Sequence, residues 1–332
     1  MSNSKHVPVL DSLRAAAALS VCLFHFICTV NGFINSKTVL AVFSFGHLGV
    51  QVFFVISGFV IPWSLFHSSY VIGNYFTFAV KRFIRLEPPY IISLLLAITH
   101  TYLRVHSQYY NGVDITPTAK QIALHFGYLI PFFSGEHWIR PVYWTLAVEF
   151  QYYLSIGLLF SLIANKKPGL RIISYLLMFS GVFCAKGFLP FYLPVFLFGI
   201  IAFLYKTKII GVLEGSLLFV AASVEMLVFH GKSTFVAALI PFLAIVFFAD
   251  FKNKLLSFLG NISYSMYLFH SLTGLVVLNY FSHFVTNPFY KFGLIIAALA
   301  IAIGCSYVVY RFIELPSKKL SSKIKFRKEE TP

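Results

Sequence analysis

Long apolar stretches, separated by short polar connections, run through almost the whole chain. A helix needs about 20 predominantly apolar residues to cross the hydrocarbon core of a bilayer, and a scan for such stretches predicts about ten transmembrane helices. The candidate spans are residues 9–31, 40–62, 89–105, 142–164, 171–187, 190–205, 209–229, 234–250, 259–282 and 289–313. The pattern therefore predicts an all-α fold, a polytopic membrane helix bundle.

The composition supports a membrane protein and argues against a soluble one. Of the 332 residues, 58% are hydrophobic and 11% are charged, whereas soluble domains carry roughly 25% charged residues. The net charge of +15 would suit a polyanion, but the basic residues form short clusters between apolar stretches, as expected beside anionic lipids. We therefore expect membrane lipids as partners and no nucleic acid.

The positions of Lys and Arg predict how the chain crosses the membrane. With ten spans and an inner N-terminus, nineteen of the 26 Lys and Arg residues lie inside and seven outside. Cytoplasmic loops are enriched in these residues, so both termini are predicted to be cytoplasmic. Residues 1–316 are expected to form one membrane domain and residues 317–332 a short basic tail, with no appended soluble domain.

The longest connection, residues 104–141, is then predicted to face the outside. Long loops in compact proteins are often functional. Its aromatic residues Tyr109, Tyr110 and Trp138 could stack on a sugar acceptor or anchor the loop at the membrane interface, and the sequence supports both interpretations equally.

The first span contains three ionisable residues, Asp11, Arg14 and His25. Charged groups at membrane depth are costly and often functional. The step from Arg14 to His25 returns within about 20° of the same helix face, about 16 Å further along the axis, and Asp11 joins Arg14 at i, i+3. One interpretation is an interfacial ion pair with a packed histidine. The other makes His25 a general base.

A second charged element, Lys81 to Pro89, precedes the third predicted span. Pro88 and Pro89 suit the start of a helix, and Arg82 and Arg85 share one face of the preceding amphipathic turn. These arginines fit positive-inside anchors and equally fit the phosphates of a nucleotide-like donor, since Arg binds phosphate bidentately.

Two further segments place polar residues inside predicted spans. Glu149 follows Trp144, which marks the outer interface, and it could orient a histidine or carry a proton; the alternative is a structural pair with Arg140 or with a hydroxyl on another helix. In the segment Asn261–Ser271, the side chains of Ser263, Tyr267 and His270 share one face, where interhelical hydrogen bonding is the simpler interpretation for the first two.

Cysteine and glycine positions add two smaller predictions. The spacing of Cys22, His25 and Cys28 places the second cysteine about 240° round a helix from the first, so we assign no metal. Gly49 and Gly58 are small residues inside a predicted span and are expected to permit close helix contact.

In this order, the segments resemble the acyltransferase-3 family of integral membrane O-acyltransferases. The resemblance covers nearly the whole chain. It rests on Leu10-Asp11 to Arg14, Phe24-His25, Gly49 to Phe59, the Arg82-x-x-Arg85 pair, Trp144 to Tyr153 around Glu149, Tyr264 to His270, and Glu314-Leu315-Pro316. Ala15 and Gln51 depart from the family pattern, and Gln51 removes an acidic group that often occupies its position.

The resemblance implies an acyl-coenzyme A donor from the cytoplasm and an acceptor hydroxyl near the outer face. By the same resemblance His25 is the catalytic histidine and Arg14 an essential residue below it. We add Glu149 and Asp11 to the predicted catalytic group. The donor would contact Arg82, Arg85 and Arg14, and the substrate would contact Tyr264, His270 and Trp144.

The resemblance further implies the reaction. The expected activity is transfer of an acyl group, most simply acetyl, from acyl-coenzyme A to a sugar hydroxyl of a surface polysaccharide such as O-antigen or exopolysaccharide, in a bacterial inner membrane. Glu149 would orient or neutralise His25. The alternative is a proton-coupled transporter or flippase of a glycan or lipid-linked substrate.

Overall fold

The computed structural model describes residues 6–68, 70–107, 113 and 115–327, and all regular secondary structure in them is helical. The helices are α1 Val9–Cys28, α2 Lys37–Ser44, α3 Gly49–His67, α4 Tyr75–Val105, α5 Ala119–Phe126, α6 Tyr143–Ile163, α7 Pro168–Phe179, α8 Leu189–Lys206, α9 Val212–Phe229, α10 Lys232–Phe247, α11 Lys254–Asn261, α12 Ser263–Phe269, α13 Gly274–Phe281, α14 Pro288–Val309 and α15 Leu315–Lys323.

Six helical segments within the described residues are long and apolar enough to cross a membrane. They are α1, the run Lys37–His67 that contains α2 and α3, α6, α8, α9 and the run Pro288–Lys323 that contains α14 and α15. Helices α7 and α10 are apolar but shorter. The expected all-α, multi-pass bundle is therefore present, while its predicted helices do not map one to one onto these six segments.

The predicted start of the third span differs from the structure. Helix α4 begins at Tyr75 and continues through Pro88 and Pro89 for 31 residues, so Arg82 and Arg85 lie on the same helix as the span rather than on a separate turn before it. A proline removes a backbone hydrogen bond and usually ends a soluble helix. Within a helix bundle, neighbouring helices compensate for that loss.

The predicted span 259–282 is also interrupted. It consists of α11, α12 and α13, with one break at Ile262 and another between Phe269 and Gly274. At the second break the backbone N–H of Leu275 donates to the carbonyl of His270 at 3.0 Å, and the chain is helical again from Gly274. Non-helical backbone inside a membrane protein is tolerated where protein surrounds it. This break places His270 at a turn instead of on a helix face.

Close backbone contacts hold the centre of the bundle together. A Cβ atom on Gly58 of α3 would collide with the carbonyl of Phe196, and one on Gly199 of α8 would collide with the carbonyl of Val55. Small residues let membrane helices approach closely and gain packing contacts. The predicted packing role of Gly58 is confirmed.

Helix α1 lies against several of the site-forming elements. A Cβ on Gly49 at the start of α3 would meet the carbonyl of Ala17, and one on Gly260 of α11 would meet the carbonyl of Asp11. The packing role expected for Gly49 is therefore confirmed as well. These contacts fix α1 between α3 and α11, so that its polar residues face the interior of the bundle.

The C-terminal segment packs beneath the start of α4. The side chain of Asn74 donates to the carbonyl of Arg327 at 3.1 Å and accepts from its backbone N–H at 2.9 Å. The ammonium of Lys81 donates to the carbonyl of Ile324 at 2.6 Å, and its nitrogen lies 4.9 Å from the ring centroid of Phe326. Residues 317–327, which the sequence analysis assigns to a basic tail, thus pack directly on the helix bundle.

Candidate active site

A cavity of about 660 Å³ opens between α1, α3, α4, α6, α12 and α15. Its lining contains five lysine and arginine side chains, Arg14, Lys81, Arg82, Arg85 and Lys318, and three acidic ones, Asp11, Glu149 and Glu314. Positive side chains therefore outnumber negative ones. A cleft with an excess of one charge focuses the electrostatic field and attracts ligands of the opposite sign.

The two arginines of α4 present hydrogen-bond donors to the cavity. The guanidinium carbon of Arg82 lies 5.2 Å from the ring centroid of Phe78 and 5.5 Å from that of Tyr153, so two aromatic rings fix its position. Among the described residues, none forms a hydrogen bond or ion pair with Arg82 or Arg85. A guanidinium carries five N–H donors, so this pair fits an anionic ligand such as a phosphate.

Asp11 and Arg14 form the ion pair that their spacing suggested. An Nη1 atom of Arg14 lies 3.4 Å from Oδ1 of Asp11, and Nε2 of His6 lies 3.0 Å from Oδ2 of the same carboxylate. Asp11 is 7% exposed. Both members of the pair line the cavity, so Arg14 is held by Asp11 in the lining that also contains the α4 arginines.

Glu149 lies in the cavity wall, where two hydroxyl groups hold it. Its Oε1 atom accepts from Ser57 Oγ of α3 at 2.7 Å and from the hydroxyl of Tyr153, one turn along α6. The contact with a hydroxyl on another helix is the structural alternative considered from sequence. Arg140 instead donates to Nδ1 of His100 at 2.7 Å.

Glu314 and Lys318 line the part of the cavity that the C-terminal segment contributes. Glu314 is 1% exposed, its Oε1 lies 2.6 Å from Nζ of Lys318, and its Oε2 accepts from Ser265 Oγ at 2.5 Å. Glu314 ends a π-helical turn, Tyr310–Glu314, a geometry found often at functional sites. The sequence analysis counted Lys318 only as part of the basic tail. Its i, i+4 spacing from Glu314 is the signal that could have identified it as a cavity residue.

Two tyrosines of α12 connect the cavity wall to other helices. The hydroxyl of Tyr264 donates to the carbonyl of Leu86 on α4 at 2.8 Å. The hydroxyl of Tyr267 lies 2.8 Å from Oγ1 of Thr145 and 3.3 Å from the carbonyl of Val142 at the start of α6. Both side chains line the cavity, and their hydroxyl groups are engaged with the protein.

His25 lies outside the cavity lining, near the opposite end of α1 from Arg14. Its Nδ1 atom is 2.9 Å from the carbonyl of Val21 and 3.2 Å from Nε2 of His270. The two imidazole centroids are 4.9 Å apart. Glu149 bonds to Ser57 and Tyr153, whereas the break after α12 brings His270 to His25. The role of Glu149 in orienting or neutralising His25 stays a prediction.

Tyr267 connects the cavity with the two histidines. Phe53 and Tyr267 both line the cavity, with ring centroids 5.8 Å apart. The ring of Tyr267 also lies 6.2 Å from that of His270. The ring of Tyr267 therefore borders the charged cavity and also packs beside the histidine pair.

Neither Trp144 nor any described residue of the long connection lines the cavity. The ring of Trp144 packs against Phe54 and Tyr192, at centroid distances of 6.2 and 5.3 Å. In the connection, Trp138 lies against His125 at 5.2 Å. Tyr109 and Tyr110 lie outside the described residues, so their predicted contact with a sugar stays a prediction.

The site thus has two parts with different chemistry. The cavity offers fixed positive charge to an anion, while His25 offers an imidazole nitrogen that can take up a proton. A carrier that bears phosphates can be bound by the guanidinium groups. A positioned imidazole can transfer the proton when a group moves from that carrier to a hydroxyl.

Comparison with known proteins agrees with this chemistry. Residues 7–311 match a family model described as "Acyltransferase domain". A protein of Staphylococcus aureus (strain COL), named "Putative O-acetyltransferase", is 30% identical over 162 residues. The match covers 45% of this chain and 24% of the relative, so the chain spans about a quarter of the relative's length. No solved structure matches the chain.

Proposed function

Because the chain belongs to the acyltransferase-3 family, we propose that it is a multi-pass membrane O-acyltransferase that uses acyl-coenzyme A, with acetyl as the acyl group. The observation that carries the proposal is the cavity in which Arg82 and Arg85 have no acceptor among the described residues. Coenzyme A carries several phosphate oxygens, and guanidinium groups bind such oxygens with paired hydrogen bonds.

The cavity would receive the donor from the cytoplasm. This orientation rests on the excess of Lys and Arg at the ends of the helices that border the cavity mouth, since cytoplasmic loops are enriched in these residues. Arg14 and Lys318 would supplement the α4 arginines, and the apolar residues Phe53 and Phe54 would line the route of the acyl-bearing arm towards Tyr267, whose ring lies beside His270.

His25 would then carry out the proton transfer. Its Nε2 atom removes the proton from an acceptor hydroxyl, the oxygen attacks the thioester carbonyl, the carbon–sulfur bond breaks, and the departing thiolate takes the proton from Nε2. In a second route, Nε2 attacks the thioester carbonyl itself and the carbon–sulfur bond breaks to release the thiolate. The acceptor oxygen then attacks the acyl carbon, the bond between that carbon and Nε2 breaks, and the hydroxyl proton passes to the thiolate. The two routes share the requirement for an unprotonated Nε2.

The acceptor we propose is a sugar hydroxyl of a surface polysaccharide, such as O-antigen or exopolysaccharide, in a bacterial inner membrane. The name of the staphylococcal relative supports O-acetylation as the reaction class. His25 lies in the last turn of α1, far from the basic end of the cavity, which suits an acceptor that approaches from the outer side.

The test compares three matched strains that carry wild-type protein, His25→Ala, or no protein, with membrane levels of both proteins measured by blotting. We expect acetyl esters in the envelope polysaccharide only with the wild type. Purified wild-type protein in nanodiscs should also release coenzyme A from acetyl-coenzyme A when that polysaccharide is added. Equal ester content in all three strains, together with no release of coenzyme A, would contradict the proposal and favour a transporter or flippase.

A further inference from the structure

The hydrogen-bond geometry fixes which ring nitrogen carries the proton in each of the two adjacent histidines. Nδ1 of His270 lies 3.0 Å from the carbonyl of Met266. A carbonyl oxygen only accepts, so this nitrogen carries the hydrogen. A neutral imidazole has one donor and one acceptor, and Nε2 of His270 therefore presents a lone pair towards His25.

The same reasoning applies to His25. Its Nδ1 faces two acceptors, the carbonyl of Val21 at 2.9 Å and Nε2 of His270 at 3.2 Å. Nδ1 must therefore be the protonated nitrogen. Nε2 of His25 is left with its lone pair, which is the form a general base or nucleophile requires.

His270 is placed where it can accept a hydrogen bond from His25 but cannot contact a substrate. It is 0% exposed, and its ring packs between Phe26 and Tyr267, with centroid distances of 6.4 and 6.2 Å. Both of its ring nitrogens are engaged by Met266 and His25. The turn that follows α12 holds the ring at a fixed height beside the outer part of α1.

We propose that His270 is a positioning residue that, together with the carbonyl of Val21, holds His25 in the Nδ1-protonated form and leaves Nε2 free to react. When Nε2 of His25 takes up a proton, the ring becomes a cation and its Nδ1–H bond to His270 becomes charge-assisted, which strengthens it. His270 thus stabilises the protonated state of His25 during transfer without placing a second charge in the bundle. The proposal rests on the proposed function of His25.

Three substitutions separate positioning from packing. In His270→Gln, the amide oxygen can reach the place of Nε2 and accept from His25. His270→Asn keeps an amide N–H donor near the carbonyl of Met266 but is too short to reach His25, and His270→Leu fills the space with no acceptor. His47→Gln is the matched control, because Nδ1 of His47 bonds to the carbonyl of Ser44 in its own segment.

The kinetic readout is kcat together with KM for acetyl-coenzyme A. We expect His270→Asn and His270→Leu to lower kcat by about 10- to 100-fold with unchanged KM, because one buried hydrogen bond to the reacting ring is removed. His270→Gln should stay within about fivefold of wild type, and His47→Gln should match it. Wild-type kcat in the Asn and Leu variants would overturn the proposal. If the Leu variant does not fold, the Gln and Asn variants decide.

A second readout does not depend on activity. Protein labelled with ¹⁵N-histidine gives solid-state NMR spectra in which protonated and unprotonated ring nitrogens are distinct, and the difference between wild type and His25→Gln isolates His25. We expect a protonated Nδ1 and an unprotonated Nε2, with the protonated Nδ1 population reduced in His270→Asn. An unprotonated Nδ1 in wild type would overturn the proposal about His270, whether or not the protein transfers an acyl group. A wild-type protein that transfers no acyl group would refute the proposed function instead.

Discussion

The charged cavity and the histidine pair differ in how they are built. In the cavity, charges from several helices act together, and many of them are held in place by aromatic rings, hydroxyl groups or opposite charges. At the histidine pair, the Nδ1–H group of His25 is held by two acceptors only, the carbonyl of Val21 at 2.9 Å and Nε2 of His270 at 3.2 Å. Affinity for an anion can be spread over many groups, whereas proton transfer depends on one atom.

This difference predicts that substitutions will separate binding from chemistry. A change in the cavity should weaken donor binding in proportion to the positive charge that is removed. A change at the histidines should leave donor binding intact and stop turnover. The following four predictions test that separation, beginning with the largest expected effect.

His25→Ala should lower kcat by about 100-fold or more, since a positioned general base contributes about 10²- to 10⁴-fold. The dissociation constant for acetyl-coenzyme A, measured by isothermal titration calorimetry, should remain that of wild type because His25 does not line the cavity. A loss of affinity for acetyl-coenzyme A as large as the loss in kcat would contradict the separation of donor binding from chemistry. His47→Ala provides the control for removal of a nearby ring.

Arg82→Ala or Arg85→Ala should raise the dissociation constant for acetyl-coenzyme A by about 10- to 100-fold, through removal of charge-assisted hydrogen bonds. Lysine at either position should restore only part of the affinity, because an ammonium lacks the planar fork of donors. Calorimetry at two salt concentrations measures both effects. Lys252→Ala removes an exposed positive charge outside the cavity lining, and an equal decrease in affinity in that variant would point to net charge instead of a defined site.

Glu149→Ala should lower the free energy of unfolding by about 1 to 3 kcal/mol, because the hydroxyl groups of Ser57 and Tyr153 no longer share an acceptor. Glu149→Gln keeps an acceptor and should be less destabilising. Thermal unfolding in detergent measures the change. The control is Glu136→Ala, which breaks the ion pair with Lys120. Because the side chain of Lys120 is 60% exposed, this change should lower the free energy of unfolding by under about 1 kcal/mol.

Spectroscopy of the same Glu149 variants sharpens the comparison further. The ring nitrogens of His25 should give the wild-type ¹⁵N pattern in both variants, since Glu149 does not contact that ring. A changed ¹⁵N pattern would show that Glu149 orients His25.

Asn74→Ala should have the smallest effect. It removes two hydrogen bonds to Arg327 and loosens the segment that carries Phe326, which lines the cavity. We expect the dissociation constant for acetyl-coenzyme A to rise by about two- to fivefold, with unchanged kcat. Asn165→Ala is a control on another connection. An unchanged affinity in Asn74→Ala would show that the C-terminal segment does not shape the donor cavity.

The hydrophobic pattern alone determined the fold class and the residues worth attention. Apolar stretches of membrane length leave no soluble alternative, and polar groups inside them are costly enough to be few. Asp11, Arg14, His25 and Glu149 stand out for this reason, and helical spacing alone correctly paired Asp11 with Arg14. Glycine inside apolar helices likewise indicated close packing at Gly49 and Gly58.

The tertiary structure decided which of these residues meet. Helical spacing placed Arg14 and His25 on one face but could not show that Arg14 lines the cavity while His25 lies outside its lining. Nor could a one-dimensional pattern reveal that the predicted span 259–282 breaks twice and brings His270 to His25. Contacts between residues 245 positions apart depend on how helices pack, and packing is a property of all the side chains together.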